Sequence, residues 1–285
     1  MKLHTINTGF FKLDGGAMFG VVPKSMWNKL NPADENNMCS WAMRCLLVED
    51  GNRLMLIDNG MGNKQDTKFM SFYYLHGNDS LSKSLETAGF SEKDITDAFL
   101  THLHFDHCGG GVKRSADGEG FELTFPNAQY WSHSAHWDWA VHPNAREKAS
   151  FLKDNIMPMQ ESGHLKFSDK ETESQSLATA FPGLEILTAD GHTEKMMLPL
   201  IPYKGRKILF AADLFPSSHH IPLPYVMAYD MRPLLTLDEK VRILQRAVEE
   251  DWIIYFEHDP KIECATLIQT DKGIRLNETF ALADL

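Results

Sequence analysis

Thiol pairs, basic clusters and long apolar runs are all missing from this 285-residue chain, and each absence removes a class of protein. The four cysteines, Cys39, Cys45, Cys108 and Cys264, form no CxxC pair, so neither a disulfide framework nor a thiolate zinc site is indicated, and a reducing compartment fits best. No uninterrupted apolar run approaches the roughly 20 residues that cross a bilayer, and Met1 to Phe10 lacks the continuous apolar centre of a signal peptide. The expectation is a soluble, cytoplasmic protein with no membrane partner. Lys and Arg gather nowhere into a run, and the formal net charge is -11, which argues against a binder of phosphate backbones. A small or weakly charged substrate is expected in place of nucleic acid.

What is present reads as an ordinary α/β chain, long enough to bury a large core without staples. Gly15 to Pro23 suggests a turn, a short strand and a loop. Ala42 to Glu49 and Arg53 to Asp58 suggest a hairpin across Asp50-Gly51-Asn52, and Ser80 to Ala88 a helix stopped by Gly89. Ile95 to Thr101 is a strand, Asn127 to Ser132 another, and helices are expected over Ala135 to Val141 and Arg146 to Gln160. The second half adds strands at Leu184 to Thr188, Met196 to Pro202, Lys207 to Ala212 and Trp252 to Phe256. A helix from Leu237 to about Glu250 has Thr236 as expected N-cap with Glu239 at capping-box spacing. A last hairpin joins Cys264 to Gln269 and Gly273 to Leu276. With no strict βα alternation and no fixed repeat, two mixed sheets covered by helices satisfy the pattern, and residues 1–285 read as one domain.

The densest chemistry lies in Thr101-His102-Leu103-His104-Phe105-Asp106-His107-Cys108, three imidazoles and a carboxylate within six residues, delivered by a strand and followed by Gly109 to Gly111. His102 and His104, two apart on an extended segment, point to one side, and neutral imidazole with carboxylate suits zinc or a similar first-row cation. Asp106 and His107 are then free to reach a second ion. Two ions need further ligands at strand ends, where three residues stand: His192 after Leu184 to Thr188, Asp213 after Lys207 to Ala212, and His258 after Trp252 to Phe256.

In this order the residues resemble the metallo-β-lactamase superfamily, whose pattern HxHxDH, His, Asp, His is matched by His102, His104, Asp106, His107, His192, Asp213 and His258. The resemblance spans nearly the whole chain and implies an αββα sandwich of two mixed β-sheets flanked by helices. It implies one ion on His102, His104 and His192, another on Asp106, His107 and His258, and Asp213 bridging them. The Ile57-Asp58-Asn59-Gly60 turn corresponds to an aspartate-glycine turn that supports the site in that family, although Asn59 stands where threonine is usual. Asp58 is the expected acceptor orienting a histidine. Two cations roughly 3.5 Å apart share a water as hydroxide, the expected nucleophile. Asp106 serves as a ligand alone or also carries a proton to the leaving alkoxide. Zinc is the default, with iron, manganese and cobalt fitting the same ligand types.

Within the superfamily, an aspartate at 213 argues against β-lactam cleavage, and His104 against the oxygen-reducing diiron branch. Phe11 to Lys24 and Phe125 to Ala128 resemble the branch of acyl-homoserine lactone lactonases and methyl parathion hydrolase-like enzymes. The resemblance implies a lactone or related ester as substrate, with a phosphotriester or phosphodiester as the alternative and a glyoxalase II-type thioester behind it; a metal-binding sensor with no turnover is the reading from a different class. Many of those lactonases carry a tyrosine three residues after the bridging aspartate, and Pro216 occupies that place here. Substitute donors are His219, His220, Tyr225 and Tyr229, each otherwise a packing residue. Met18, Phe19, Trp27 and Phe215 are candidate walls of an apolar pocket. Loose apolar residues near the N-terminus leave room for a homodimer.

Overall fold

A computed structural model of the chain describes residues 1–170 and 177–285. The described residues form two mixed sheets of six strands each and a small hairpin. In chain order the strands are β1 (Lys2–Asp14), β2 (Met38–Asp50), β3 (Arg53–Ile57), β4 (Asp97–Phe99), β5 (Val112–Arg114), β6 (Phe121–Leu123) and β7 (Gln129–Ser132). They continue with β8 (Leu165–Phe167), β9 (Glu185–Ala189), β10 (Met196–Tyr203), β11 (Arg206–Phe210), β12 (Ile253–Tyr255), β13 (Cys264–Thr270) and β14 (Gly273–Phe280). The first sheet runs β1-β2-β3-β4-β7-β8 and the second β14-β13-β12-β11-β10-β9, with β5-β6 apart. Strands β3, β4, β7 and β8 pair in parallel, as do β11 and β12, and the other pairings are antiparallel.

The period of two along β2 and β3 explains the layering. Leu46, Val48, Met55 and Ile57 face the second sheet, meeting a core that includes Leu200, Ile208, Phe210 and Ile254. The alternate residues Cys45, Leu47, Leu54 and Leu56 face outward and are covered by Leu85, Trp137, Ile156 and Met159 from the helices Leu81–Thr87, Ser134–Val141 and Lys153–Glu161. Strands buried on both faces read as continuous apolar runs, which is how Cys45 to Val48 appears in the sequence. The helix Pro233–Glu249 covers the second sheet through Ile243, Leu244 and Ala247. This is the expected sandwich of helix, sheet, sheet and helix. No helix of the described residues is long and apolar enough to cross a membrane.

Three local expectations give way to side-chain hydrogen bonding. Gly15 to Phe19 is a short helix, not a strand, because the Asp14 carboxylate accepts the Ala17 N–H at 2.7 Å and starts the first turn. The expected helix from Arg146 begins only at Lys153, because the Asn144 side chain accepts the N–H groups of Arg146 and Glu147 and holds that stretch as a turn. Thr236 is not an N-cap. Its helix begins at Pro233, whose missing N–H costs nothing in the first turn, and Glu239 instead accepts the N–H groups of Asp190 and Gly191.

Candidate metal centre

Strand ends from both sheets converge on one side of the sandwich. Beyond β4 the chain stays extended through His104 and then turns into the short helix Phe105–Cys108. The loops after β9, β11 and β12 bring His192, Asp213 and His258 to the same place. The glycines after the motif are required by close approach: a Cβ on Gly110 would stand 2.0 Å from the Asn59 carbonyl oxygen, and one on Gly109 2.2 Å from that of Met61. Asn59 N–H donates to the His107 carbonyl at 2.7 Å and Gly110 N–H to that of Gly60 at 2.8 Å, locking the motif against the Asp58–Met61 turn.

All seven residues singled out in the sequence meet, and none is more than 8 % exposed. His102 Nε2 lies 3.1 Å and His192 Nε2 3.2 Å from His104 Nδ1, a trio of nitrogens facing one point. His107 Nε2 and His258 Nε2 are 3.2 Å apart, with Asp106 Oδ2 3.7 and 3.8 Å from them. Asp213 stands between the groups: Oδ2 is 3.2 Å from His192 Nε2, and Oδ1 is 3.1 Å from His258 Nε2 and 3.6 Å from His107 Nε2. Nitrogens at about 2.0–2.1 Å from a tetrahedral zinc are separated by roughly 3.3 Å, so the spacing of each set suits one ion.

The remote nitrogens of the imidazoles are engaged in turn. His102 Nδ1 faces Thr101 Oγ1 at 3.1 Å, His192 Nδ1 faces Asp230 Oδ1 at 2.9 Å, and His258 Nδ1 donates to the Ala42 carbonyl at 2.7 Å. His107 Nδ1 lies 3.0 Å from Asp58 Oδ2 and 3.1 Å from Glu257 Oε2, and His104 Nε2 faces Glu147 Oε1 at 3.4 Å. Acceptors on the far side keep the near nitrogen bare, which is the tautomer a metal ligand needs. Asp58 meets its expected role, and it adopts φ +56° to do so while also accepting both the N–H and the hydroxyl of Thr101. Asp230, Glu257 and Glu147 were not anticipated, since a lone carboxylate far along the chain carries no pattern. Only the adjacency of Glu257 to His258 offered a signal.

Six carboxylates, Asp58, Asp106, Glu147, Asp213, Asp230 and Glu257, surround the five imidazoles. Burial pushes His102 well below its ordinary pKa, helped by the neighbouring imidazoles. Burial acts the same way on His258, but Asp213 and Glu257 outweigh it and raise that ring to about 9. Burial raises Glu257 to about 8, with Asp58 adding to the effect. Asp213 Oδ1 has no hydrogen-bond partner despite its burial. Clustered bases and carboxylates around an orphaned oxygen are the donor set of a cation site, and two divalent ions would offset four negative charges.

Residues 44–113, which span β2 through the HxHxDH motif to β5, match the metallo-beta-lactamase superfamily. The similarity to that superfamily is shown over this segment. The chain is 22% identical over 271 residues to N-acyl homoserine lactonase AiiA of Bacillus thuringiensis subsp. kurstaki, covering 90% of this chain and 93% of that one. Its fold is similar to a probable metal-dependent hydrolase from Staphylococcus aureus, with TM-score 0.84 and 27% identity over 98% of each chain. It is also similar to AidC, described as a dizinc quorum-quenching lactonase, with TM-score 0.77 and 22% identity over 99% of this chain and 97% of that one.

A cavity of about 400 Å³ opens onto the cluster, in the size range of a small-molecule site. Leu13, Met18, Phe105, Met227 and Met231 give it apolar walls, and Tyr73 and Tyr229 bring hydroxyls. Of the expected wall residues only Met18 lines it. Phe19 and Trp27 stack on one another in the neighbouring core and Phe215 belongs to the core between the sheets. Among the four substitute donors, His220 is engaged by Met18 O and Ser217 Oγ, Tyr225 packs edge-on against Phe19, and His219 is off the wall; Tyr229 alone lines the cavity.

Proposed function

We propose that residues 1–285 form one catalytic unit, a dinuclear metal-dependent hydrolase that opens lactones or related esters. The observation that carries the reading is Asp213, which offers one carboxylate oxygen to the His102, His104, His192 trio and the other to the Asp106, His107, His258 trio. Histidine-rich ligation favours zinc in both positions. When bound, such a pair supplies an activated water at neutral pH and a Lewis acid for the carbonyl oxygen.

The remaining work falls to side chains of the cavity. Its methionine and leucine walls exclude water and hold an acyl chain. Tyr229, with no hydrogen-bond partner among the described residues, is positioned to donate to the substrate carbonyl, the place left open by Pro216. Ring opening forms a bond from water oxygen to the acyl carbon and breaks the bond to the ring oxygen, leaving an alkoxide that needs a proton. Asp106, on the cavity wall, takes the proton released by the attacking water and returns it there. The relatedness to AiiA and the fold shared with AidC support a lactone.

The test is a hydrolysis panel of acyl lactones, paraoxon-type triesters, nucleotide diesters and thioesters on metal-quantified protein. Lactones are expected to turn over fastest, and His104→Ala and Asp213→Ala to abolish turnover without unfolding. Full activity in either variant overturns the two-ion site, and a preference for triesters reassigns the substrate while leaving the site intact.

A further inference from the structure

Glu147 lies outside the HxHxDH, His, Asp, His pattern and outside residues 44–113, yet its side chain is buried against the cluster at 2 % exposure. The turn after Pro143 holds it there: Asn144 Oδ1 accepts the Glu147 N–H at 3.1 Å, while Asn144 Nδ2 and Trp139 Nε1 each donate to Glu147 Oε2 at 2.6 Å. With Oε2 filled by two donors, Oε1 is the oxygen left over. It faces His104 Nε2 at 3.4 Å, and both of those buried atoms lack any other hydrogen-bond partner. The Thr193 hydroxyl, next to His192, also lies near this carboxylate.

His104 differs from its four companions in facing the cluster with Nδ1, not Nε2. Its proton must therefore sit on Nε2, and that proton needs a buried acceptor. Resting on the two-ion reading above, we propose that Glu147 is the positioning residue of the first ion, fixing the His104 tautomer and ring through Oε1 while Trp139 and Asn144 anchor Oε2. The role requires a carboxylate specifically, since both oxygens accept. A glutamine must turn its amide N–H₂ either toward the Trp139 and Asn144 donors or toward the His104 Nε2–H, so it meets a donor whichever way it is placed. Among the described residues the remote nitrogens of His107 and His258 are held by Asp58, Glu257 and the Ala42 carbonyl, so the second ion's ligands keep their own support.

The experiment is zinc titration of the full chain, stripped of metal, by calorimetry and by metal analysis after gel filtration, for wild type, Glu147→Gln and Glu147→Ala, with circular dichroism confirming the fold of each. Wild type is expected to hold two ions. Glu147→Gln and Glu147→Ala are expected to weaken one of the two by roughly 10–100-fold and leave the other unchanged. Because Glu147 lines the cavity, added formate is expected to restore the weakened ion in Glu147→Ala but not in Glu147→Gln, whose amide fills the space. If Glu147→Ala fails to fold, the isosteric Glu147→Gln decides alone. Two ions held with wild-type affinity by Glu147→Gln overturn the inference, whereas a wild-type chain that takes up no zinc overturns the two-ion reading on which it rests.

Discussion

Replacing Asp58 by asparagine changes one buried oxygen to an amide nitrogen and leaves backbone and volume intact, because asparagine tolerates the left-handed conformation at φ +56°. Asp58 Oδ1 accepts the Thr101 N–H at 2.8 Å, a fixed backbone donor, so the amide oxygen of Asn must stay there. The new N–H₂ then occupies the place of Oδ2, which takes the Thr101 hydroxyl at 2.6 Å and faces His107 Nδ1 at 3.0 Å. The hydroxyl can turn and accept. The imidazole cannot without moving its proton to Nε2, the nitrogen directed at His258 and Asp213. One charge-assisted hydrogen bond, a contribution of roughly 1.5–3 kcal/mol, becomes a contact between donors, and Glu257 Oε2, 3.1 Å from the same Nδ1, is the acceptor that remains. Relief of the repulsion between Asp58 and Glu257 offsets part of this, leaving a loss of about 2 kcal/mol and a Tm lower by roughly 4–8 °C. Urea and thermal unfolding of the metal-free chain measure the stability, and zinc titration of the same samples is expected to show the second ion weakened by roughly 10–100-fold. A variant within about 0.5 kcal/mol of wild type that binds both ions normally would refute the tautomer argument.

Gly110→Ala sets a Cβ 2.0 Å from the Asn59 carbonyl and must part the motif from the Asp58–Met61 turn, costing roughly 2–3 kcal/mol by urea unfolding; an unchanged midpoint contradicts the required close approach. Lys240, fully buried, donates to the carbonyls of His220, Pro222 and Tyr225, with that of Leu223 at 3.4 Å, so Lys240→Met, which strands three acceptors, is expected to lower stability by roughly 2–4 kcal/mol. Equal denaturation curves for the two proteins would show that water serves those carbonyls as well. Tyr229→Phe removes only a hydroxyl from the cavity wall and is expected to lower kcat on lactones roughly tenfold, about 1.4 kcal/mol of transition-state stabilisation, with unaltered zinc content. Wild-type kcat in that variant assigns the donor elsewhere.

The sequence made the centre readable because the residues that meet there are dense or stand at strand ends. HxHxDH packs four donors into one segment, and His192, Asp213 and His258 each close an apolar run whose strand character was plain. Their supports were harder to see. Glu147 is a single acidic residue in a stretch that looks helical, and only the competition of the Asn144 side chain for the backbone turns it inward. Asp230 precedes a proline-started helix with nothing to mark it beyond that. The long edge strand β1 escaped notice because most of its residues are half-buried and a register shift between Asn7 and Phe10, where Gly9 adopts φ +109°, breaks the period of two. Aromatic residues were the least informative. Phe19, Trp27 and Phe215 have the composition of a pocket wall and the positions of a core, and only packing separates the two.

The most direct test of a two-ion hydrolase is to add zinc stepwise to the metal-stripped full chain and follow lactone hydrolysis against bound metal. Activity is expected to climb until two ions are bound per chain and then level off, with Asp213→Ala binding more weakly at both positions. Full activity at one ion per chain, or a chain that binds two and turns over no ester in the panel, would contradict the account.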